Sequence, residues 1–235
     1  MSNDPSLVVD ASALNKVSEI LRDYPANAER VVARVLWRTR DFTKHEIIRQ
    51  VPKIYRITQS EMKSSLGNKR FVVLKQTGNQ QVSFDVVGKR LTLSRFHHSP
   101  KKPVYGKKAK RVVSRVEVFH GTGMKNIRKS VGEDGKLKSV FLAPTGAKSA
   151  SKEDGTPKVP YIFFHRTGRP SKKNPKKEEI VPRISIAIPQ MINNPKVAKP
   201  LREKIGEKLE KEVTQQLKFE ASKMAKRLIR QGARV

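Results

Sequence analysis

The apolar positions keep a helical period, switch to a period of two near residue 71, and return to a helical period near residue 195. Leu14, Val17, Ile20 and Leu21 recur at helical spacing behind Asp10 and Ser12, either of which can cap, and Tyr24-Pro25 closes the pattern. Pro25 then stands as the first residue of a second helix. Its Ala28, Val31, Val32, Val35, Leu36, Phe42, Ile47 and Ile48 follow three-four spacing up to Pro52. Arg30, Arg34, Arg38, Arg40, Lys44 and Arg49 sit between those apolar positions and read as a solvated basic face. Thr58 and Glu61 have the spacing of a capping box, opening a short helix that Gly67 closes.

From Phe71 the pattern alternates: Phe71 to Lys75, then Val82, Phe84 and Val86, then Leu91 and Leu93. These predict antiparallel strands with tight turns at Thr77-Gly-Asn79 and Gly88-Lys89. Arg111 to Phe119 alternates again, and Ser139–Ala143, Tyr161–Phe164 and Ile184–Ile188 supply three further apolar strands. Together they predict an antiparallel sheet of about six strands, close to the usual size.

The last helix is entered through Asn193-Asn-Pro195 or restarted at Pro200. Leu201, Ile205, Leu209, Val213 and Leu217 repeat every fourth residue, so each step overshoots a turn by about 40° and the apolar stripe winds around the helix. Either the helix end is less buried or the stripe meets a neighbouring subunit, and these five residues are the candidate subunit interface. The predicted fold is α+β, one domain over residues 1–235. It has N-terminal helices over 10–66, a sheet with extended basic loops over 71–190 and a long C-terminal helix over 195–231. No repeat at solenoid or propeller spacing occurs.

Charge changes the picture more than length does. The 235 residues hold 51 Lys and Arg against 21 Asp and Glu, a formal net charge of +30, which points to a polyanionic partner. Zero cysteines exclude thiolate metal sites, thiol nucleophiles and disulfide staples. The start MSNDPSLVVD lacks the pattern of a signal peptide, and no run has the length and apolarity to cross a bilayer. The only Trp, Trp37, lies inside the second helix, so an amphipathic membrane anchor is not expected.

The positive charge gathers in three acid-free segments. His97 to Arg115 carries Lys101, Lys102, Lys107, Lys108, Lys110 and Arg111; His165 to Lys177 carries Arg166, Arg169, Lys172, Lys173, Lys176 and Lys177. Ala221 to Val235 is the third. Pro100, Pro103, Gly106, Gly168, Pro170 and Pro175 argue that the first two are long, mobile loops, and Gly146 to Pro157 reads as a further loop. Lys and Arg on such arms neutralise phosphates without reading sequence. Only Phe96 and Tyr105 are interleaved with them, too few aromatics for base recognition. Acidic protein surfaces are the rival partner.

Catalytic patterns are missing. His45, His97, His98, His120 and His165 form no helical ligand pair, and Asp85, Glu117, Glu178 and Glu179 are too scattered for a metal nuclease, so no metal, cofactor or enzyme activity is expected. His120-Gly-Thr-Gly-Met reads as a turn, not a phosphate loop. Like charge around His97-His98 suits surface hydrogen-bonding residues more than ligands.

The order of elements carries a resemblance. A basic N-terminal helix leads into Ile54-Tyr-Arg-Ile-Thr-Gln-Ser-Glu61. Gly88 with Leu91-Thr-Leu-Ser-Arg-Phe96, Val140-Phe-Leu-Ala143, Phe163-Phe-His-Arg166 and Ile188-Pro-Gln-Met191 follow in turn. From about Ala28 to the last helix this resembles the prophage minor tail protein Z family of tailed bacteriophages. Ser185-Ile-Ala187 stands where that pattern has a Gly-Pro-Ser turn, and the two basic loops are enlarged. The resemblance implies a structural, non-enzymatic virion protein at the head-proximal end of the tail, made in the host cytoplasm and acting in tail completion and head-tail joining. The implied partners are tail terminator, tail tube and head-completion or connector proteins, copies of itself in a ring, and packaged double-stranded DNA bound non-specifically. The alternative reading is a free non-specific nucleic-acid-binding protein, ribosome-associated or nucleoid-like.

Overall fold

The computed structural model describes residues 7–66, 72–77, 81–86, 90–106, 111–145 and 160–232. The turns expected at Thr77–Asn79 and Gly88-Lys89, the stop at Gly67 and the Gly146–Pro157 loop fall largely or wholly outside these residues. The fold is α+β, and the chain divides into two compact units.

The first unit comprises Met1–Val51, Leu66–Gly88 and Pro189–Val235. Its sheet has the antiparallel order β1-β3-β2, with β1 Leu7–Asp10, β2 Val72–Thr77 and β3 Gln81–Val86. Strand β1 has no counterpart in the sequence expectations, because four residues are too few to establish a period. Its Leu7 pairs with Phe84 and its Val9 with Val82, all four buried. Helix α1, Ala13–Ile20, follows directly, and the Asp10 carboxylate accepts from the Ser12 N–H at 2.8 Å while Ser12 itself makes no side-chain cap.

Helix α2 spans Pro25–Ile54 and starts at Pro25 as its spacing requires. It runs two residues past the expected stop at Pro52: a proline this close to a helix end removes only one bond from a turn whose carbonyls are already open. Its buried face mixes Val31, Val35, Ile47 and Val51 with Thr39, Thr43, Glu46 and Gln50. Both threonine hydroxyls donate to the carbonyl four residues back, at 2.8 Å, which satisfies them inside the helix. Trp37 is exposed.

Short helix α4, Ile188–Ile192, precedes α5, Pro195–Gly232, whose first turn is capped by the Asn194 carbonyl side chain accepting from the Lys196 N–H at 3.1 Å. Helix α5 lies antiparallel to α2, as three ion pairs record: Lys204 to Glu46 at 3.2 Å, Arg38 to Glu212 at 3.1 Å and Arg34 to Glu220 at 3.1 Å. Arg34 and Arg38, expected on a solvated face, therefore partner buried glutamates.

The second unit comprises Pro52–Ser65 and Lys89–Ile188. Helix α3, Gln59–Leu66, opens as its capping spacing requires, with the Glu61 N–H donating to Thr58 Oγ1 at 3.1 Å. The Glu61 carboxylate takes Arg95 at 2.7 Å. The strands are β4 Arg90–Thr92, β5 His97–Ser99, β6 Arg115–Glu117, β7 Lys125–Asn126, β8 Ser130–Val131, β9 Leu137–Lys138, β10 Val140–Pro144, β11 Tyr161–Ser171, β12 Asn174–Pro182 and β13 Ile184–Ala187.

In place of one sheet of about six strands, the described strands of the chain form five small antiparallel sheets of two or three strands each. In this unit they are ordered β5-β6-β7, β10-β11-β12, β13-β4 and β8-β9. Strands of two to four residues offer too few ladder bonds to hold a wide sheet, and prolines interrupt the edges. The stretch expected as one strand from Gly88 to Phe96 shows this: only Arg90–Thr92 pairs, and Leu93–Arg95 turns as a 3-10 segment. That turn carries Leu93 onto the small core of Val140, Leu142 and Phe163. Likewise Arg111–Phe119 reduces to Arg115–Glu117. Ser185-Ile-Ala187, the departure from the family pattern, lies in β13.

Candidate nucleic-acid interface

The second basic segment is a hairpin of strands, which corrects the expectation of a mobile loop. Strands β11 and β12 pair antiparallel, with His165 opposite Val181 and Arg166 opposite Ile180. The next pair is Pro170 with Glu178, four residues on along β11 but two along β12, so β11 bulges over Thr167–Arg169. Gly168 adopts φ +85° there, and Pro170 follows where a ladder N–H is dispensable. Gly and Pro, which argue for a loop in sequence, here shape one strand.

The bulge is buttressed by the β8–β9 hairpin. The Glu133 N–H donates to the Thr167 carbonyl at 2.9 Å, and Arg169 pairs with Glu133. Lys138 bridges Asp134 at 2.6 Å and Glu178 at 2.5 Å; these two hydrogen bonds raise its pKa, and the Lys138 ammonium in turn lowers that of Asp134. Arg169 likewise holds the Glu133 carboxyl below its ordinary range. Arg166 stacks over the Phe141 ring at 5.6 Å and reaches Glu178 at 3.7 Å.

These contacts sort the six cations of the segment. Arg166 and Arg169 are neutralised along β11, by Glu178 and Glu133. Lys172, Lys173, Lys176 and Lys177 are exposed at its far end and make no ion pair among the described residues. An open concavity of about 1070 Å³ runs beside them, lined also by Phe141 and Ile180. A two-stranded ribbon has a width that the major groove of duplex DNA admits, and four unpaired ammonium groups on it supply phosphate contacts.

Among the described residues, the first basic segment does not join this ribbon as a second arm. His97–Ser99 is strand β5, with His97 opposite Glu117, in place of a projecting loop start. Lys107, Lys108 and Lys110 lie outside the described residues. Lys102 and Arg111 are exposed and line neither that concavity nor the cleft at Lys101. Lys101 lines a different cleft, together with Arg56, His97, His98 and His120. Arg56 and His120 were not among the sequence candidates: each stands alone in its local pattern, and 64 residues separate them.

The stripe expected either to lose burial toward the helix end or to meet another subunit is core over its first four positions. Leu201, Ile205 and Leu209 are fully buried and Val213 is 2 % exposed, all within the first unit; only Leu217 is half-buried. The winding is real, but the buried line follows the helix by changing chemistry. From residue 212 onward Glu212, Gln216 and Glu220 take the buried positions and the cations of α2 satisfy both glutamates, so the stripe needs no second copy to cover it.

Among the described residues no group of three or more His, Cys, Asp or Glu side chains is arranged to hold a metal, and no helix is long and apolar enough to cross a membrane. No protein-family model, curated protein or solved structure matches the chain.

Proposed function

We propose that this chain is a structural, non-enzymatic protein of a tailed-phage virion, acting in tail completion and head-tail joining, and that its β11–β12 ribbon contacts packaged duplex DNA without reading sequence. The virion assignment rests on the resemblance carried by Ile54–Glu61, Leu91–Phe96, Phe163–Arg166 and Ile188–Met191. The DNA contact rests on one observation, the four unpaired lysines Lys172, Lys173, Lys176 and Lys177 at the end of a braced hairpin. A braced ribbon loses less conformational entropy on binding than a mobile loop bearing the same charge.

The test of the DNA contact is duplex binding by the isolated protein over a range of salt. Replacing the four lysines together by Gln is expected to reduce the slope of log binding constant against log salt by about 3 to 4, since each phosphate contact contributes about 0.9. An unchanged slope overturns the ribbon as the contact. Recovery of the chain in purified particles separates the virion protein from a free nucleic-acid binder, and its absence from them overturns the virion assignment.

A further inference from the structure

The cleft that holds Lys101 lies wholly within the second unit, has a volume of about 420 Å³ and is walled by Arg56–Thr58 on one side and Ser94–His98 on the other. That volume suits a small molecule or a single nucleotide. Tyr55 bridges to Phe119 and Ile57 to Phe96, while the Arg56 N–H donates to the Val118 carbonyl at 2.8 Å and the Arg56 carbonyl accepts from the His97 N–H at 3.0 Å. The backbone of Arg56 is thereby clamped on both sides.

Its side chain is aimed by two further groups. Arg56 Nε meets Glu117 Oε2 at 3.5 Å, and Nη1 meets His120 Nδ1 at 3.3 Å. His120 Nε2 lies 3.0 Å from the Pro52 carbonyl, which can only accept, so the ring proton sits on Nε2 and Nδ1 accepts from Arg56. The His120 N–H also donates to the Ile54 carbonyl at 3.0 Å. His120 therefore covers carbonyls at the C-terminal end of α2, whose partial negative charge opposes an anion. Glu117, 13 % exposed, is shared between Arg56 and His97. The other donors of the Arg56 guanidinium, and the Lys101 ammonium, have no partner among the described residues.

His98 adds an acceptor. Its Nδ1 donates to the Phe96 carbonyl at 2.8 Å, leaving Nε2 with a lone pair, and its ring stands edge-on to Phe163 at 5.3 Å. Burial lowers its pKa, against the Phe96 hydrogen bond that raises it, and Lys101 and His97 add like charge in the same lowering direction.

We propose that this cleft binds a terminal phosphate, with Arg56 and Lys101 holding its charge and His98 accepting from its remaining P–OH. A phosphate monoester carries the charge and, in the monoanion that predominates below its second pKa of about 6, that residual proton, whereas a diester has no proton to donate. The source is either a free phosphate monoester or the 5′-phosphate of a nucleic-acid strand. This site stands independently of the ribbon.

The test titrates the full chain with inorganic phosphate calorimetrically at pH 7, with chloride adjusted to hold ionic strength constant. Saturable binding is expected, weakened about tenfold by Arg56→Gln and by Lys101→Gln and unchanged when the four ribbon lysines are Gln. Lys101 is exposed and unpaired, so its variant reads the site even if Arg56→Gln fails to fold. Competition by a duplex bearing 5′-phosphate but not by its 5′-hydroxyl twin assigns the site to a strand end; competition by neither assigns it to a free monoester, and equal competition by both means that backbone diesters fill the site and overturns the proposal. Absence of saturable binding, or binding indifferent to Lys101→Gln, overturns the proposal.

Discussion

At the scale of single residues, the buried glutamates of α5 depart furthest from what their type suggests. Glu212 is 3 % exposed, yet Lys208 at 2.6 Å and Arg38 at 3.1 Å hold it charged. Burial disfavours that charge, but the two hydrogen bonds outweigh it and its pKa lies below the ordinary carboxylate value. In an unfolded chain the same group titrates near about 4.3. The unfolded form then binds more protons in that range, so Glu212 contributes stability above about pH 4.3 that is lost as pH falls through the folded pKa. Urea midpoints of the native chain are therefore expected to drop steeply between pH 5 and 3, and Glu212→Gln is expected to show a shallower drop in that window. Parallel acid profiles for the two proteins would mean that folding leaves the pKa of this carboxylate where it is in the unfolded chain.

At the scale of elements, the ribbon depends on a residue that carries no charge. Gly168 sits at φ +85°, and a Cβ there would stand 3.0 Å from the backbone nitrogen of Glu133 and 3.0 Å from Asp134 Oδ1. The Glu133 backbone belongs to the turn that braces the bulge, so it cannot yield without releasing the Thr167 contact. Gly168→Ala is expected to destabilise by about 1–3 kcal/mol in a thermal or urea melt, and to weaken duplex binding although every lysine remains. A variant as stable as the native chain would show that the turn shifts freely and that the brace is unimportant. The same comparison explains the two basic segments. One has a partner strand and a buttress; the other gives its first three residues to β5 and its Lys101 to a cleft.

At the scale of the whole molecule, a net charge of +30 guarantees some attraction to any polyanion, so affinity by itself says little about a site. Replacing the four ribbon lysines by Gln lowers the formal charge by four, to +26. Replacing Lys199, Lys211, Lys218 and Lys226, all exposed on α5, lowers it equally. If binding followed total charge, both variants would lose the same salt slope. The ribbon reading predicts that the α5 variant retains a slope near the native one, within about 1, while the ribbon variant does not. Equal losses from the two variants would assign the binding to net charge and remove the ribbon from it.

The sequence by itself determined the first three helices, their starts and the net positive charge, because a period, Pro25 or Thr58 with Glu61 acts over a few neighbouring residues. It also determined that the fold is α+β. Only the tertiary structure decided what covers each surface. Leu201 to Val213 wind around α5 in either case, but whether α2 supplies arginines for the glutamates that follow depends on contacts across more than 150 residues of chain. Gly168 and Pro170 break a strand or shape one according to whether the Gly132–Lys136 turn lies against them. Arg56 and His120 acquire meaning only when the end of α2 and the segment after β6 come together. Short-range patterns specify local conformation; pairing distant segments requires loop closure and packing that local spacing does not encode.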